Sequence, residues 1–332
     1  MKAFLFGFHW INAGPSNVNR KLIWAADKQV SEDTADNQLL YLKSNNKYVR
    51  LFEATKKIHD CDVIILSGLC SPRNFSLIKS SKKPVVYLMH GDVRYENHVN
   101  HQNTSEKVLQ TQDEILHIAS RIVCVSENYK SWVSVRYPKY EEKITFVNNG
   151  LILNRRPRVC KVPYSIAVAG GNRPIKANKY VCAAVSILQS QGIPCKLYVF
   201  GRHYPSCEDL PNIDGLEYMG QLDELDYYEK LDKISMFVMN SDVEPFGLTI
   251  ADAINCNCSM LMSSNIGAAS ILSMQDIDII SNNHDPQEIA RKVLAIEKCP
   301  NIDRLYSSID LSSVSVESSY QRLMHICEEV II

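Results

Sequence analysis

Apolar residues in this chain fall into two alternating patterns. Short, nearly continuous apolar runs, such as residues 2–8, 63–67 and 234–239, are typical of strands buried on both faces of a parallel sheet. Between these runs, apolar residues recur every three or four positions, which is the spacing of a helix with one buried face. Strands and helices that alternate in this way predict an α/β fold with parallel sheets covered by helices.

The alternation occurs in both halves of the chain. The predicted strands are residues 2–8, 48–52, 63–67, 84–89, 121–125 and 143–147 in the first half, and 165–169, 196–201, 216–220, 234–239, 259–263 and 277–281 in the second. Residues 155–158, which lie between the halves, are polar and show no periodicity. We therefore predict two doubly wound domains that face each other across a cleft, residues 1–155 and 156–314, and a terminal segment, 315–332.

Length and composition limit the class of protein. The 332 residues are enough for two domains, and 45% hydrophobic with 22% charged residues is ordinary for a globular protein. The formal net charge of -1 argues against nucleic acid as a partner, because no basic field is present to attract phosphates. The eleven cysteines are dispersed without metal-ligand spacing, which indicates a reducing cytoplasm, and no signal peptide or membrane-spanning segment is expected.

The stretch from Glu244 to Asp252 carries the strongest candidate chemistry. It places two carboxylates eight positions apart across a turn built on Pro245 and Gly247, and a helix is predicted to follow. Backbone N–H groups in the first turn of such a helix lack intrahelical partners and can receive a diphosphate. Asp252, about two turns into the helix, can accept hydrogen bonds from ribose hydroxyls. Taken alone, the spacing more often marks a capped helix with a solvated Asp.

Three strand ends supply further candidates. His90 follows the fourth predicted strand, and ligands of open α/β sheets gather at the carboxyl ends of strands. Gly14 lies in the loop after the first strand, where backbone N–H groups can face phosphate. After the first strand of the second half, two glycines precede Arg173, Lys176 and Lys179, of which the first two are the stronger diphosphate ligands. The alternative for His90 is a structural histidine, and the alternative for Gly14 is an ordinary turn.

The predicted helix 128–137 mixes cationic and aromatic side chains. Lys130, Trp132 and Arg136 can rest on an anionic membrane surface. The favoured alternative is a solvated cationic face with Trp132 in the core.

These motifs, in this order, resemble those of glycosyltransferase family 4, whose members are retaining, nucleotide-sugar-dependent enzymes with the GT-B fold. The resemblance covers nearly the whole chain and is most specific in residues 240–267, where residues 244–248 followed by Asp252 and Ala253 are similar to the E-x7-E stretch of the family. It extends to residues 122–127 and 147–150 and to the strand-end candidates above. The resemblance implies two Rossmann-like domains and a C-terminal helix, residues 316–329, that crosses back to the N-terminal domain.

The family pattern assigns a role to each candidate residue. By resemblance, Glu244 and His90 are the catalytic residues: Glu244 contacts the donor sugar, and His90 contacts the sugar or its phosphate. The implied donor-binding residues are Gly14 for close backbone approach, Arg173 and Lys176 for the diphosphate, Phe246, Gly247 and Leu248 through their backbone amides, and Asp252 for the ribose. The resemblance also implies no metal or other cofactor, and same-face attack in which the departing phosphate takes the acceptor proton.

Three departures from the family pattern affect these roles. Asp252 replaces a Glu, which shortens the second carboxylate by one methylene. Asn257 stands where Gly is usual, and Asn tolerates the left-handed conformation. Gly171 aligns where an Arg is expected, so it stays open whether Arg173, Lys176 or Lys179 binds the diphosphate.

The resemblance therefore predicts a retaining, metal-independent hexosyltransferase of bacterial surface polysaccharide biosynthesis. It moves a sugar from a nucleotide diphosphate sugar, bound by the C-terminal domain, to a glycan or lipid-linked acceptor, bound by the N-terminal domain. We expect a cytoplasmic location with peripheral contact at the inner face of the membrane. Two alternatives stay open: a catalytically inactive nucleotide-sugar-binding partner protein, and a GT-B-fold nucleotide-sugar epimerase.

Overall fold

A computed structural model describes residues 1–11, 14–31 and 37–331 of the protein. The chain forms two compact units. The first contains residues 1–97, 103–151 and 311–332, and the second contains residues 98–102 and 152–310. Each unit is built around a parallel six-stranded sheet.

The strands follow the apolar runs of the sequence closely. In chain order they are β1 (Lys2–Phe6), β2 (Gln38–Tyr41), β3 (Val63–Ser67), β4 (Val85–Met89), β5 (Arg121–Cys124), β6 (Ile144–Phe146), β7 (Val162–Ala169), β8 (Lys196–Phe200), β9 (Leu216–Gly220), β10 (Ile234–Met239), β11 (Ser259–Ser263) and β12 (Ile279–Ile280).

Helices connect the strands in both units. In chain order they are α1 (Gly14–Ser31), α2 (Lys47–Asp60), α3 (Pro72–Ser81), α4 (Val93–Val99), α5 (Glu106–Ile118), α6 (Glu127–Arg136), α7 (Asn178–Ser190), α8 (Glu224–Asp232), α9 (Thr249–Asn255), α10 (Pro286–Lys298), α11 (Ile302–Ser307) and α12 (Val316–Glu329). Short 3-10 helices cover Pro138–Lys143, Pro174–Lys176, Gly267–Ile271 and Asp276–Asp278.

The first sheet has the strand order β2-β1-β3-β4-β5-β6. Every residue of β3 and β4 is buried, because both faces of these central strands are covered. The order reverses direction between β1 and β3. In open α/β sheets such a reversal opens a crevice outside the carboxyl ends of the two strands, which is the usual ligand position.

The second sheet has the order β12-β11-β10-β7-β8-β9, which is the strand order of doubly wound sheets that bind dinucleotides. Its reversal lies between β7 and β10. Apolar residues of α7 and α10 pack with those of the central strands in one buried cluster, which includes Val168, Val185, Val238 and Val293. The predicted α/β class with two doubly wound sheets is thus confirmed.

The strand predicted at residues 48–52 is wrong. These residues belong to α2, and the strand that was missed is β2. The side chain of Asn46 caps the helix by accepting hydrogen bonds from the N–H groups of Tyr48 and Val49. The apolar run resembles that of a buried strand, but its side chains are not buried: Tyr48 and Phe52 are 82% and 75% exposed.

The terminal helix α12 belongs to the first unit, where it packs against α1. Tyr320, Leu323 and Cys327 of α12 are buried. At the surface, Lys28 Nζ of α1 lies 2.8 Å from Glu317 Oε1. Over the ranges that the structure describes, no helix combines the length and the apolar character needed to cross a bilayer.

Candidate functional site

Lys176 and Glu244 meet at the reversal point of the second sheet. Lys176 lies in the loop after β7, Glu244 lies in the loop after β10, and the Lys176 ammonium forms an ion pair with Glu244 Oε2. Each side chain is only 16% exposed. The structure thus brings one predicted diphosphate ligand and the predicted catalytic carboxylate together, at the end of the sheet where ligands bind.

Two glycines after β7 shape this loop. Gly170 has φ of +91°, and a Cβ there would come within 2.8 Å of Lys176 Cγ, so the lysine stem runs directly over the glycine. Gly171 has φ of +64°, and a Cβ there would lie 2.1 Å from the carbonyl oxygen of Arg202. No side chain fits at position 171, so this loop cannot hold the Arg that the family pattern places there.

Of the three candidate cations, only Lys176 pairs with Glu244 among the described residues. The guanidinium of Arg173 lies 5.6 Å from the ring centre of Tyr204, and its Nε donates to the carbonyl of Gly170 at 3.4 Å. Lys179 is exposed, with its ammonium 5.3 Å from the ring of Tyr180. Both side chains have partners on their own side of the loop.

The turn at residues 244–248 is fixed by backbone bonds to the loop after β11. Glu244 N–H donates to Asn265 O at 3.1 Å, and the N–H of Gly267 donates to Glu244 O at 2.9 Å. Gly247 has φ of +93°, and a Cβ there would lie 2.5 Å from Met239 Cε. The Phe246 side chain is buried in the core, so any role of Phe246 in binding falls to its backbone.

Leu248 precedes α9 and Asp252 lies in the first turn of that seven-residue helix. The expectation that Asp252 sits about two turns into a helix is therefore wrong: the helix begins at Thr249, and its fourth residue lies only about one turn from its start. The Asp252 carboxylate accepts hydrogen bonds from the hydroxyls of Tyr228 at 2.8 Å and Tyr227 at 3.4 Å. Burial, followed by the charge of Asp252, raises the pKa of both tyrosines, so both stay protonated donors.

Asn257 adopts the left-handed conformation, with φ of +57°, as expected for a residue at a position where Gly is usual. Its Oδ1 accepts a hydrogen bond from Arg155 Nε at 2.7 Å, and its Nδ2 donates to Arg156 O at 3.0 Å. These two bonds give the amide side chain a function that Gly cannot supply.

His90 anchors a second polar cluster, at the reversal point of the first sheet. His90 follows β4, Ser67 ends β3, and Asn19 lies on α1. Ser67 Oγ is 2.8 Å from His90 Nε2 and 2.7 Å from Asn19 Oδ1, while Asn19 Nδ2 donates to Phe8 O at 2.8 Å. Gly7 leaves room for the cluster, because a Cβ there would lie 2.5 Å from Asn19 Nδ2.

The hydrogen bonds of this cluster assign the tautomer of His90. Asn19 uses its amide N–H toward Phe8, so its Oδ1 is an acceptor and the single hydroxyl proton of Ser67 points to it. Ser67 Oγ must then accept from His90 Nε2–H, which leaves Nδ1 with a lone pair. His90 is half-buried, and desolvation lowers its pKa to about 4, so the imidazole is neutral at pH 7.

Gly14 begins α1 and is exposed. A Cβ at Gly14 would meet no atom of the described chain within 4 Å, so packing does not require glycine there. The predicted loop around Gly14 includes residues 12 and 13, which lie outside the described residues.

Four residues of these clusters were missed by the sequence analysis. Ser67 ends a correctly predicted strand, so the strand-end argument that selected His90 applies to it as well. Asn19, Tyr227 and Tyr228 lie within helices, where the sequence pattern offers no corresponding signal.

The cationic helix α6 engages its large side chains within the protein. Arg136 Nε lies 2.5 Å from Asp92 Oδ2, and the Arg136 guanidinium lies over the rings of Tyr95 and Trp132 at 5.2 and 5.4 Å. Trp132 also stacks on Tyr129. These contacts support the packed-face interpretation over a lipid-facing one. Within the described ranges, no three His, Cys, Asp or Glu side chains are grouped to hold a metal ion.

Comparison with solved structures decides the fold family. Sucrose-phosphate synthase from Thermosynechococcus elongatus superposes with a TM-score of 0.71 at 12% identity, over 99% of this chain and 98% of that chain. Anabaena HepE in complex with UDP-glucose superposes with a TM-score of 0.68 at 12% identity, over 99% of this chain and 100% of that chain. The chain has the GT-B fold.

Shorter and local matches agree with this fold. Staphylococcus aureus TarM is similar over 85% of this chain and 59% of its own, with a TM-score of 0.61 and 12% identity. Residues 163–298, which lie within the second unit, match the family model described as glycosyl transferases group 1. No curated protein sequence matches the chain.

Proposed function

We propose that the protein is a retaining glycosyltransferase that moves a sugar from a nucleotide diphosphate sugar to a glycan or lipid-linked acceptor. The observation that carries this proposal is the Lys176–Glu244 ion pair at the reversal point of the second sheet. An ammonium and a carboxylate at that point match the two ends of a sugar diphosphate, one anionic and one rich in hydroxyls. The match of residues 163–298 to a glycosyltransferase model supports it.

Donor binding exchanges the partners of the ion pair. The diphosphate takes over the Lys176 ammonium, and a sugar hydroxyl donates to the Glu244 carboxylate, so both nearly buried charges keep a partner. Lys176 then faces the oxygen on which negative charge develops as the sugar–phosphate bond breaks, which is electrostatic stabilisation of the transition state. UDP-glucose, which HepE binds, is the first donor to test.

The neutral imidazole of His90 is suited to a hydroxyl rather than to a phosphate. With Nε2–H committed to Ser67, the free Nδ1 lone pair can accept a hydrogen bond and carries no positive charge. His90 is therefore proposed to contact the donor sugar. Gly14, at the start of α1, is proposed to allow close approach of the donor to the backbone.

The remaining donor contacts come from the turn and helix after β10. The backbone amides of Phe246, Gly247 and Leu248 are proposed to meet sugar and phosphate, and Asp252 the ribose. Asp252 already accepts from Tyr228 and Tyr227, and a carboxylate has further lone pairs for a ribose hydroxyl. Arg173 serves as a second cation at the loop.

Transfer needs no enzymic nucleophile in this scheme. The acceptor hydroxyl attacks from the face that the diphosphate leaves, the departing phosphate oxygen takes its proton, and the anomeric configuration is retained. We propose that no metal or cofactor takes part, that the acceptor belongs to bacterial surface polysaccharide synthesis, and that the protein acts in the cytoplasm beside the inner face of the membrane.

The test measures UDP-glucose binding by calorimetry and release of UDP by a coupled assay. Lys176→Ala and Glu244→Gln should each weaken binding about tenfold or more, because each removes a charge-assisted hydrogen bond, and both should abolish UDP release. Lys179→Ala is the matched control, since Lys179 is exposed and outside the pair. If a panel of nucleotide sugars leaves the melting temperature unchanged, the donor site is refuted; binding with no turnover would favour an inactive partner protein.

A further inference from the structure

A cavity of about 320 Å³ lies in the first unit, between β1, the start of α2 and the start of α3. This volume is within the range of small-molecule sites. Its apolar wall includes Phe8, Leu42 and Leu51, and its cationic side chains are Lys47, Arg50 and Arg73. None of the described residues that line it is an Asp or Glu.

The cations of this cavity have no carboxylate partner among the residues that the structure describes. Over the described chain, Lys47, Arg50 and Arg73 form no ion pair. Arg50 instead lies over aromatic rings, with its guanidinium 4.9 Å from the ring centre of Phe8. The carboxylate of Glu53, on the same helix, accepts from the backbone N–H groups of Lys43 and Ser44 and so is engaged elsewhere.

The apolar wall continues outside the cavity along α2. Tyr48, which also lines the cavity, and Val49 and Phe52 are 82%, 52% and 75% exposed, which is unusual for three apolar side chains within two helical turns. An occupant with a long apolar part can cover them, whereas a compact polar ligand cannot.

We propose that this cavity binds a lipid phosphate, a phosphate or diphosphate ester of a long-chain alcohol. The phosphate pairs with Arg50, Arg73 and Lys47, and the chain lies on the apolar wall and on Tyr48 and Phe52. The three cations on one side and the exposed apolar side chains on the other are complementary to such an amphiphilic anion. The role of this ligand as carrier of the acceptor rests on the proposed transfer function, whereas its binding does not.

Calorimetry with the full-length protein tests the site. The probes are farnesyl phosphate below its micelle concentration, inorganic phosphate, which lacks the chain, and farnesol, which lacks the charge. Farnesyl phosphate should bind with a dissociation constant at least about tenfold lower than either fragment. Equal affinity for inorganic phosphate, or no binding of farnesyl phosphate, would overturn the proposal.

Two surface variants, each with a matched control, locate the site. Arg73→Gln and Tyr48→Ser should each raise the dissociation constant of farnesyl phosphate about tenfold. Lys107→Gln and Val135→Ser change an exposed cation and an exposed apolar residue elsewhere in the same unit and should leave it within twofold. Unchanged affinity in both cavity variants would place the binding elsewhere and refute the assignment.

The outcome is separable from that of the donor test. Arg73→Gln should leave UDP-glucose binding unchanged, and Lys176→Ala should leave farnesyl phosphate binding unchanged. If the unsubstituted protein binds farnesyl phosphate but no nucleotide sugar, the transfer function is refuted and the lipid-phosphate site stands. If it binds a nucleotide sugar but not farnesyl phosphate, the lipid-phosphate site alone is refuted.

Discussion

Gly171 is a position where the structure leaves no space for a side chain. A Cβ there meets the Arg202 carbonyl oxygen at 2.1 Å, and φ of +64° is unfavourable for any residue with a Cβ. Gly171→Ala should lower the free energy of unfolding by about 2 kcal/mol or more, through left-handed strain and displacement of the Arg202 backbone.

Gly14→Ala is the contrasting substitution. Because a Cβ at Gly14 meets nothing within 4 Å, its effect on unfolding should stay within about 0.5 kcal/mol, while UDP-glucose binding weakens if the donor approaches the backbone there. Thermal unfolding and calorimetry measure the two effects. Equal losses of stability in the two variants would show that the loop after β7 relaxes freely.

His90 gives the protein a pH-dependent loss of stability. Folding lowers its pKa from 6.5 to about 4, so between these values the unfolded chain binds a proton that the folded chain does not. The contribution is fully present above pH 6.5 and is lost as pH falls toward 4. Between pH 6.5 and 5 the expected loss is about 1.5 kcal/mol.

The His90→Gln variant isolates the pH dependence that comes from His90, since Gln keeps an N–H donor for Ser67 and does not titrate. Urea unfolding of both proteins at pH 6.5 and pH 5 should show a smaller pH-dependent loss in the variant. Parallel losses would mean that His90 is as accessible to protons in the folded chain as in the unfolded one.

Which cation meets Glu244 could not be deduced from the sequence. Arg173, Lys176 and Lys179 lie within seven positions, and their types alone favour Arg for a diphosphate. The outcome depends on Gly170, whose positive φ lets the Lys176 stem pass over the backbone. The His90 cluster was equally inaccessible, because Ser67 and Asn19 are 23 and 71 positions away from His90 in the chain and meet only through the strand order.

At the scale of elements, the strands buried on both faces were the most predictable. The bounds of β3, β10 and β11 match the predicted ranges, because a continuous apolar run has few other stable environments. The strand predicted at residues 48–52 was an error because apolar side chains of α2 are exposed there. Apolar residues in this run therefore do not mark one buried face, and the helical spacing is not visible in the sequence. The same exposure marks the proposed lipid-phosphate site.

The link between α8 and α9 offers a test of Asp252. If the Asp252 carboxylate binds ribose, Asp252→Asn should raise the dissociation constant of UDP-glucose about tenfold. Tyr228→Phe keeps the carboxylate and removes one 2.8 Å bond, so it should cost about 1 kcal/mol of stability with a smaller effect on binding. If Asp252→Asn lowers stability but leaves the affinity for UDP-glucose unchanged, Asp252 does not bind ribose and only connects α8 and α9 through its hydrogen bonds.

At the scale of the whole molecule, the chain builds its first unit from both ends. Residues 311–332 return to that unit, where the side chains of Tyr320, Leu323, Met324 and Cys327 are buried. Burial of side chains of this size contributes about 1.5–3 kcal/mol each, so α12 supplies several kcal/mol against a typical total of about 5–15 kcal/mol.

Deletion of residues 316–332 should therefore destabilise the first unit selectively. Hydrogen exchange should accelerate in β3 and β4 of the truncated protein and stay slow in β7 and β10, whose core is formed within residues 152–310. Lys28→Gln is the control: it removes the ion pair with Glu317, whose side chains are 41% and 34% exposed, and should cost less than about 1 kcal/mol. Equal protection of both sheets after truncation would mean that the buried face of α1 is stable without α12. Faster exchange in both sheets would mean that the two units unfold together.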